Sequence, residues 1–133
     1  MPMTLDAVDA FATSLPGVTT GARWGNRTWL VEDKGFAWER PFSKADLKRF
    51  GDELPPAGEI LAVGVADLDA KDALLAIAPR GFFTIAHFQG YPAILVALRQ
   101  ARANDVRAAL RDAHRLAAAK PTTPRTRSRA KAR

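Results

Sequence analysis

Residues 27–42 read RTWLVEDKGFAWERPF. Two runs rich in aromatic and β-branched residues flank Glu32, Asp33, Lys34 and Gly35, which combine charge with a glycine. The pattern predicts a β-hairpin with a four-residue loop. On the N-terminal side, TLDAVDAFATSL (residues 4–15) sets Leu5, Val8, Ala12 and Leu15 at helical spacing. Thr4 is the expected N-cap, Asp6 falls in the first turn, and Pro16-Gly17 ends the helix.

On the C-terminal side, SKADLKRFGDELPP (43–56) predicts a short helix. Ser43 would cap it with Asp46 three residues on, and Gly51 and Pro55 would stop it. EILAVGV (59–65) reads as an apolar strand, and DLDAKDALLAIAP (67–79) as a helix capped by Asp69. GFFTIAHFQGYPAILVAL (81–98) reads as two strands joined through a turn at residues 87–90. The last helix runs from Asn104 to about Ala119, with Val106, Leu110, Ala113 and Ala117 in one narrow sector that must face a core. Antiparallel hairpins with helices at both ends argue for an α+β two-layer domain rather than a wound parallel sheet.

A chain of 133 residues is expected to form one domain. It has no cysteine, which excludes disulfides and thiolate metal sites and suits a reducing compartment. The opening MPMTLDAVDA lacks a signal-peptide pattern. The apolar run YPAILVAL is far short of the ~20 residues that span a bilayer. The expectation is a soluble, cytoplasmic protein with no membrane partner. Net charge is +6, and its location is informative. Residues 1–119 hold fourteen Lys or Arg and fourteen Asp or Glu. The excess lies in KPTTPRTRSRAKAR (120–133), as Lys120, Arg125, Arg127, Arg129, Lys131 and Arg133. A Thr/Pro/Arg-rich segment with nothing to bury is expected to be a disordered basic tail on a 1–119 domain.

The segments RWGNRTWLVEDKGFAWERP (23–41), ADLDAKDALLAIAP (66–79) and GFFTIAHFQGYPAILVAL (81–98) together resemble the MmcQ/YjbR-type family of small bacterial proteins. TLDAVDAFATSLPGV (4–18) fits that family's first helix and its ending, so the resemblance covers roughly residues 4–117. It implies a frataxin-like (CyaY-like) sandwich, with one antiparallel sheet and helices packed on a single face. It also implies DNA binding, a role ascribed to the family from fold comparison, and no enzymatic activity. Frataxins use an acidic ridge for iron, but here the first helix offers only Asp6 and Asp9, so an iron role is not carried over. The basic tail lies outside the family pattern.

The inventory of reactive groups predicts neither catalysis nor a cofactor. His87 and His114 fall in separate elements, and no zinc-protease, nucleophile-elbow or Walker motif is present. Gly35, Gly51, Gly58 and Gly64 are spaced as turn or packing residues. Asp67, Asp69 and Asp72 could offer hard oxygen ligands, but helix-end electrostatics accounts for them without a metal.

Two binding surfaces are expected. On the last helix Arg107, Arg111, Arg115 and His114 fall on one flank and Asp105 and Asp112 on the other. This basic flank leads into the tail, a footprint for the phosphates of double-stranded DNA read with low sequence specificity. The alternative is a small-molecule or protein-binding module. Trp24, Trp38, Glu39, Arg40, His87 and Tyr91 would line a concavity on the sheet, with Arg40 as anion anchor and His87 as titratable group. The plainer arrangement puts the tryptophans in the core, Glu39 on Arg40 or Arg27, and His87 on a turn.

Overall fold

A computed structural model describes residues 3–119 except 24, 57, 78, 86 and 87. The chain opens with α1 (Leu5–Thr13), followed by the meander β1 (Val18–Arg23), β2 (Asn26–Val31) and β3 (Lys34–Glu39). Next come α2 (Lys44–Phe50), β4 (Ile60–Gly64), α3 (Leu68–Ile77), β5 (Phe82–Phe83), β6 (Ala93–Ala97) and α4 (Ala103–Ala119). All six strands form one sheet in the order β1-β2-β3-β4-β6-β5, and every neighbouring pair is antiparallel. The fold is mixed α+β, as expected.

The helix starts obey local chemistry. The Thr4 side chain accepts from the Ala7 N–H, and the Leu5 N–H donates to Glu59 Oε1 at 3.1 Å, tying α1 to the approach of β4. Ser43 and Asp46 form the anticipated reciprocal box at the start of α2. At α3 the expectation is corrected. Asp67, not Asp69, is the cap, its Oδ1 accepting from the Ala70 N–H at 2.8 Å, while Asp69 sits in the first turn. Two aspartates one residue apart offer the same local signal, and the earlier one is where the chain leaves β4.

The hairpin is tighter than expected. Glu32 (φ 51°) and Asp33 (φ 65°) alone make the turn, and Lys34 already pairs with Val31. Two consecutive left-handed residues match the twist of the flanking strands, so Lys34 and Gly35 belong to β3. The late hairpin also differs. β5 is only two residues long, and a connection through residues 84–92 precedes β6.

Between β2 and β3 the register shifts: Trp29 faces Ala37, whereas Leu30 faces Gly35. Phe36 is the extra residue, and both Phe36 and Ala37 are buried in the cluster formed with α1 and α4. Such a bulge changes the parity of everything that follows it in the strand. Without it Trp38 would share a face with Phe36; with it Trp38 lies opposite Ala62, on the other face.

The first face of the sheet carries Trp29, Val31, Leu61, Val63, Ile94 and Val96 against Leu5, Val8 and Ala12 of α1 and Val106, Leu110, Ala113 and Ala117 of α4. The indole N–H of fully buried Trp29 donates to Asp9 Oδ1 at 2.8 Å. The expectation of helices on a single face holds for α1 and α4. The second face is nevertheless covered along β4 and β6, where Phe42, Phe83, Ile85 and Phe88 pack on Ile60, Ala62, Leu95 and Ala97. Over β1 it stays open, with Thr19, Gly21 and Arg23 exposed.

Replacing Glu32→Asn together with Asp33→Gly should raise stability by about 1 kcal/mol, because both positions already hold left-handed backbone that these residues favour. Urea unfolding at constant m-value tests this, and an unchanged or lower midpoint refutes it.

Candidate functional site

Where the covered half of the second face meets the open half, the sheet surface steps down into a concavity of about 670 Å³. That size lies within the range of small-molecule pockets. Four elements supply its lining. Trp38 and Gly35 come from β3, and Arg23 and Asn26 face each other at the β1–β2 turn. Arg40 and Phe42 come from the segment after β3, and Phe88 and Tyr91 from the connection before β6.

Aromatic edges and faces define the pocket. Trp38 and Tyr91 meet at 76° with centroids 6.3 Å apart, and Phe88 and Tyr91 at 75° and 5.5 Å. These edge-to-face pairs suit the ring quadrupoles and fix the ring planes. The Arg40 guanidinium carbon lies 5.3 Å from the Phe88 centroid, within cation–π range.

Arg40 is the most constrained polar group in the site. Its Nη1 donates to Asp46 Oδ2 at 2.9 Å and to the Pro41 carbonyl at 2.6 Å. Its side chain is 17% exposed and that of Asp46 only 2%. Burial alone would raise the Asp46 pKa, but the Ser43 N–H, the Arg40 guanidinium and the Ser43 hydroxyl outweigh it and hold the carboxyl below its ordinary value. The capping box of α2 thus has a second task, that of anchoring Arg40. Among the described residues, Arg40 Nε and Nη2 have no partner, which leaves the outer part of the fork for an anion.

A second buried charge holds the rim. Lys71 of α3 is 3% exposed, and its ammonium donates to the carbonyls of Phe88 and Tyr91. Burial lowers its pKa, and neighbouring Asp72 opposes that shift. The two pocket aromatics on this connection are therefore positioned from behind by a lysine that never enters the site.

Of the residues expected in the concavity, Trp38, Glu39, Arg40 and Tyr91 line it together. Trp24 and His87 lie outside the described residues. The plainer pairing of Glu39 with Arg40 is corrected, since Arg40 bonds to Asp46, while Glu39 Oε1 accepts from the Arg27 backbone N–H at 3.4 Å. Arg23, Asn26, Phe42 and Phe88 were missed. The signal for the first two was Gly25, which lies between two runs that pair with Arg23 opposite Asn26. Phe42 and Phe88 sit in connections and follow no periodicity.

The charges on α4 are less segregated than helical angles suggested. Arg115 Nη2 pairs with Asp112 Oδ1 at 2.7 Å, because residues three apart are surface neighbours. Arg107 Nη1 donates to Asn104 Oδ1, and the Arg111 guanidinium lies 5.5 Å from the Phe11 centroid. His114 Nε2 is 2.8 Å from the Pro16 carbonyl, and its ring meets Phe36 edge-on, so it serves the fold. The six tail cations, Lys120 to Arg133, lie outside the described residues. Among the described residues, no helix is long and apolar enough to cross a membrane.

A single antiparallel sheet backed by α1 and α4, with an aromatic and arginine-lined concavity on its other side, defines a small α+β protein. The YjbR family model matches residues 13–116, and the chain belongs to that family. It is also 42% identical over 101 residues to uncharacterised proteins of Mycobacterium bovis and of two strains of Mycobacterium tuberculosis. Each alignment covers 74% of this chain and 78% of the relative. No solved structure matches.

Asp46→Asn should cost about 2 kcal/mol at neutral pH, because it removes the charge that Arg40 is buried against. The folded pKa of Asp46 lies below its unfolded value near 3.8. Its stabilisation is therefore complete above that value and is lost as pH falls through the folded one. Unfolding free energy measured against pH should fall less steeply below pH 3.8 in the variant; parallel curves would refute this.

Proposed function

We propose that this chain is a non-enzymatic, cytoplasmic binding protein that takes a small organic anion with a flat ring into the Trp38–Arg40 concavity. The observation that carries this reading is the Arg40 guanidinium, held at one nitrogen by buried Asp46 and, among the described residues, without a hydrogen-bond partner at the others, in a concavity it shares with the Trp38 and Tyr91 rings. An arginine oriented beforehand loses little entropy on binding a carboxylate or phosphate, and ring edges accept a planar apolar body. Among the described residues the site shows no paired nucleophile and base: the Ser43 hydroxyl accepts from the Asp46 N–H, and Glu39 accepts from the Arg27 backbone. The architecture reads as frataxin-like, supported by the first and last helices side by side on one face of one antiparallel sheet.

The fluorescent naphthalene sulfonate ANS combines a flat ring system with an anion and serves as probe. It should bind the native protein at one site, and Trp38→Ala or Tyr91→Ala should each weaken it about tenfold, with little change in melting temperature. Equal affinity in both variants would sink the reading.

A second reading is low-specificity binding to duplex DNA. It is supported by exposed Arg111 and Arg115 on α4, which runs toward the six cations of residues 120–133. Fluorescence anisotropy with a labelled duplex across a salt series should give a log–log slope of roughly −5 if all six tail charges meet phosphates. The slope should collapse when those six are replaced by Gln. A flat salt response in the native chain would rule this reading out.

A further inference from the structure

Residues 1–119 balance their formal charges, but the fold does not distribute them evenly. A second concavity, of about 790 Å³, shares no lining residue with the first. Its lining includes Arg80, Arg99, Arg102 and Arg107, with Asn104 and a single carboxylate, Asp105. Arg107 is turned onto Asn104 Oδ1. Arg80, Arg99 and Arg102 are exposed and make no ion pair among the described residues.

The gathering of these arginines is built by backbone contact. The Ala97 N–H donates to the Gly81 carbonyl at 2.7 Å, and the Ala101 N–H returns to the Ala97 carbonyl at 3.0 Å. Gly81 has φ +85°, and a Cβ there would fall 2.8 Å from the Ala101 nitrogen and 2.9 Å from the Ala97 oxygen. Only glycine allows the 79–81 turn to lie directly on the 97–101 turn, which places Arg80 beside Arg99 and Arg102. A third segment closes in where the Leu98 N–H donates to the Glu59 carbonyl. There the Arg99 side chain fills the space of a Gly58 side chain, with Cδ 2.7 Å from where a Cβ would be. Arg80 from one turn and Arg99 and Arg102 from the other, with Arg107 of α4, thus line one cleft, and the Gly58–Glu59 segment packs against Arg99.

Like charges gathered this way oppose folding, and no carboxylate pairs with three of them. Several planar donor forks around a concave surface match an oxyanion carrying more than one charge, and phosphoryl groups fit that geometry bidentately. We propose that this arginine cleft is a binding site for linked phosphoryl groups, separate from the Trp38 concavity and from the tail. A free polyphosphorylated molecule and a nucleic-acid backbone both carry such groups.

Calorimetric titration of the full chain with inorganic tripolyphosphate at low salt tests the site. Arg80→Gln with Arg102→Gln should weaken binding at least about tenfold, since both residues are exposed and make no ion pair among the described residues. The chain with all six tail cations replaced by Gln, and Trp38→Ala, should each stay within about threefold of the native chain. A second pair, Arg99→Gln with Arg107→Gln, should reproduce the loss and guards against a folding defect in the first. Absence of binding by the native chain, undiminished binding in both arginine pairs, or loss of binding on tail neutralisation alone would each overturn the proposal. Competition by a short DNA duplex on the tail-neutralised chain then separates the sources. Displacement of tripolyphosphate assigns the site to a nucleic-acid backbone and retention to a free phosphorylated molecule, and both results support the cleft.

Discussion

β4 and β6 are buried on both faces, and this constraint organises the molecule. Ile60, Leu61, Ala62 and Val63 pair with Ala97, Val96, Leu95 and Ile94, and every one of these side chains is at most 2% exposed. Such a pair must be covered twice. The amphipathic helices α1 and α4 cover one face. The other is sealed by single apolar side chains, Phe42, Ile85 and Phe88 from connections and Phe83 from the short β5. A cover made of side chains rather than a helix ends abruptly, and at its margin the sheet is left as a step. The concavity with Trp38 on its floor is that margin.

The parts legible in the sequence are those in which a local rule and the tertiary demand agree. Thr4, the Ser43–Asp46 box and the stripe Val106, Leu110, Ala113 and Ala117 all stand where capping and periodicity put them. Trp38, Glu39, Arg40 and Tyr91 could be grouped in advance because neighbouring strands and their ends converge. The remainder depended on features without a local signature. The bulge at Phe36 decides which face Trp38 serves, yet the adjacent Gly35 reads equally well as part of the preceding turn. Glu32 and Asp33 occupy left-handed backbone that composition assigns to glycine or asparagine, so Gly35 drew the turn one pair too far along.

Charge was the property hardest to read from linear order. Angular sorting along α4 set Arg115 apart from Asp112, although they are neighbours on the helix surface. It could not bring Arg80, Arg99 and Arg102 to Arg107, since that meeting depends on two turns packing through Gly81. Asp46 and Lys71 are the reverse case. Asp46 was expected only as part of a cap and Lys71 drew no expectation, yet each is buried because it holds something else: Asp46 fixes Arg40, and Lys71 fixes the carbonyls of Phe88 and Tyr91.

The burial of Lys71 also gives it an unusual chemistry. An amine 3% exposed and bonded to two carbonyls is closed to acylating reagents while the connection before β6 keeps its place. It becomes a nucleophile only when that connection lifts away and the two carbonyls release the ammonium to solvent. Its rate of labelling is thus set by local opening rather than by intrinsic amine reactivity. Surface lysines such as Lys44 and Lys48, both exposed on α2, follow the ordinary solvent-accessible rate. One side chain therefore acts as a built-in clock for the breathing of the pocket rim.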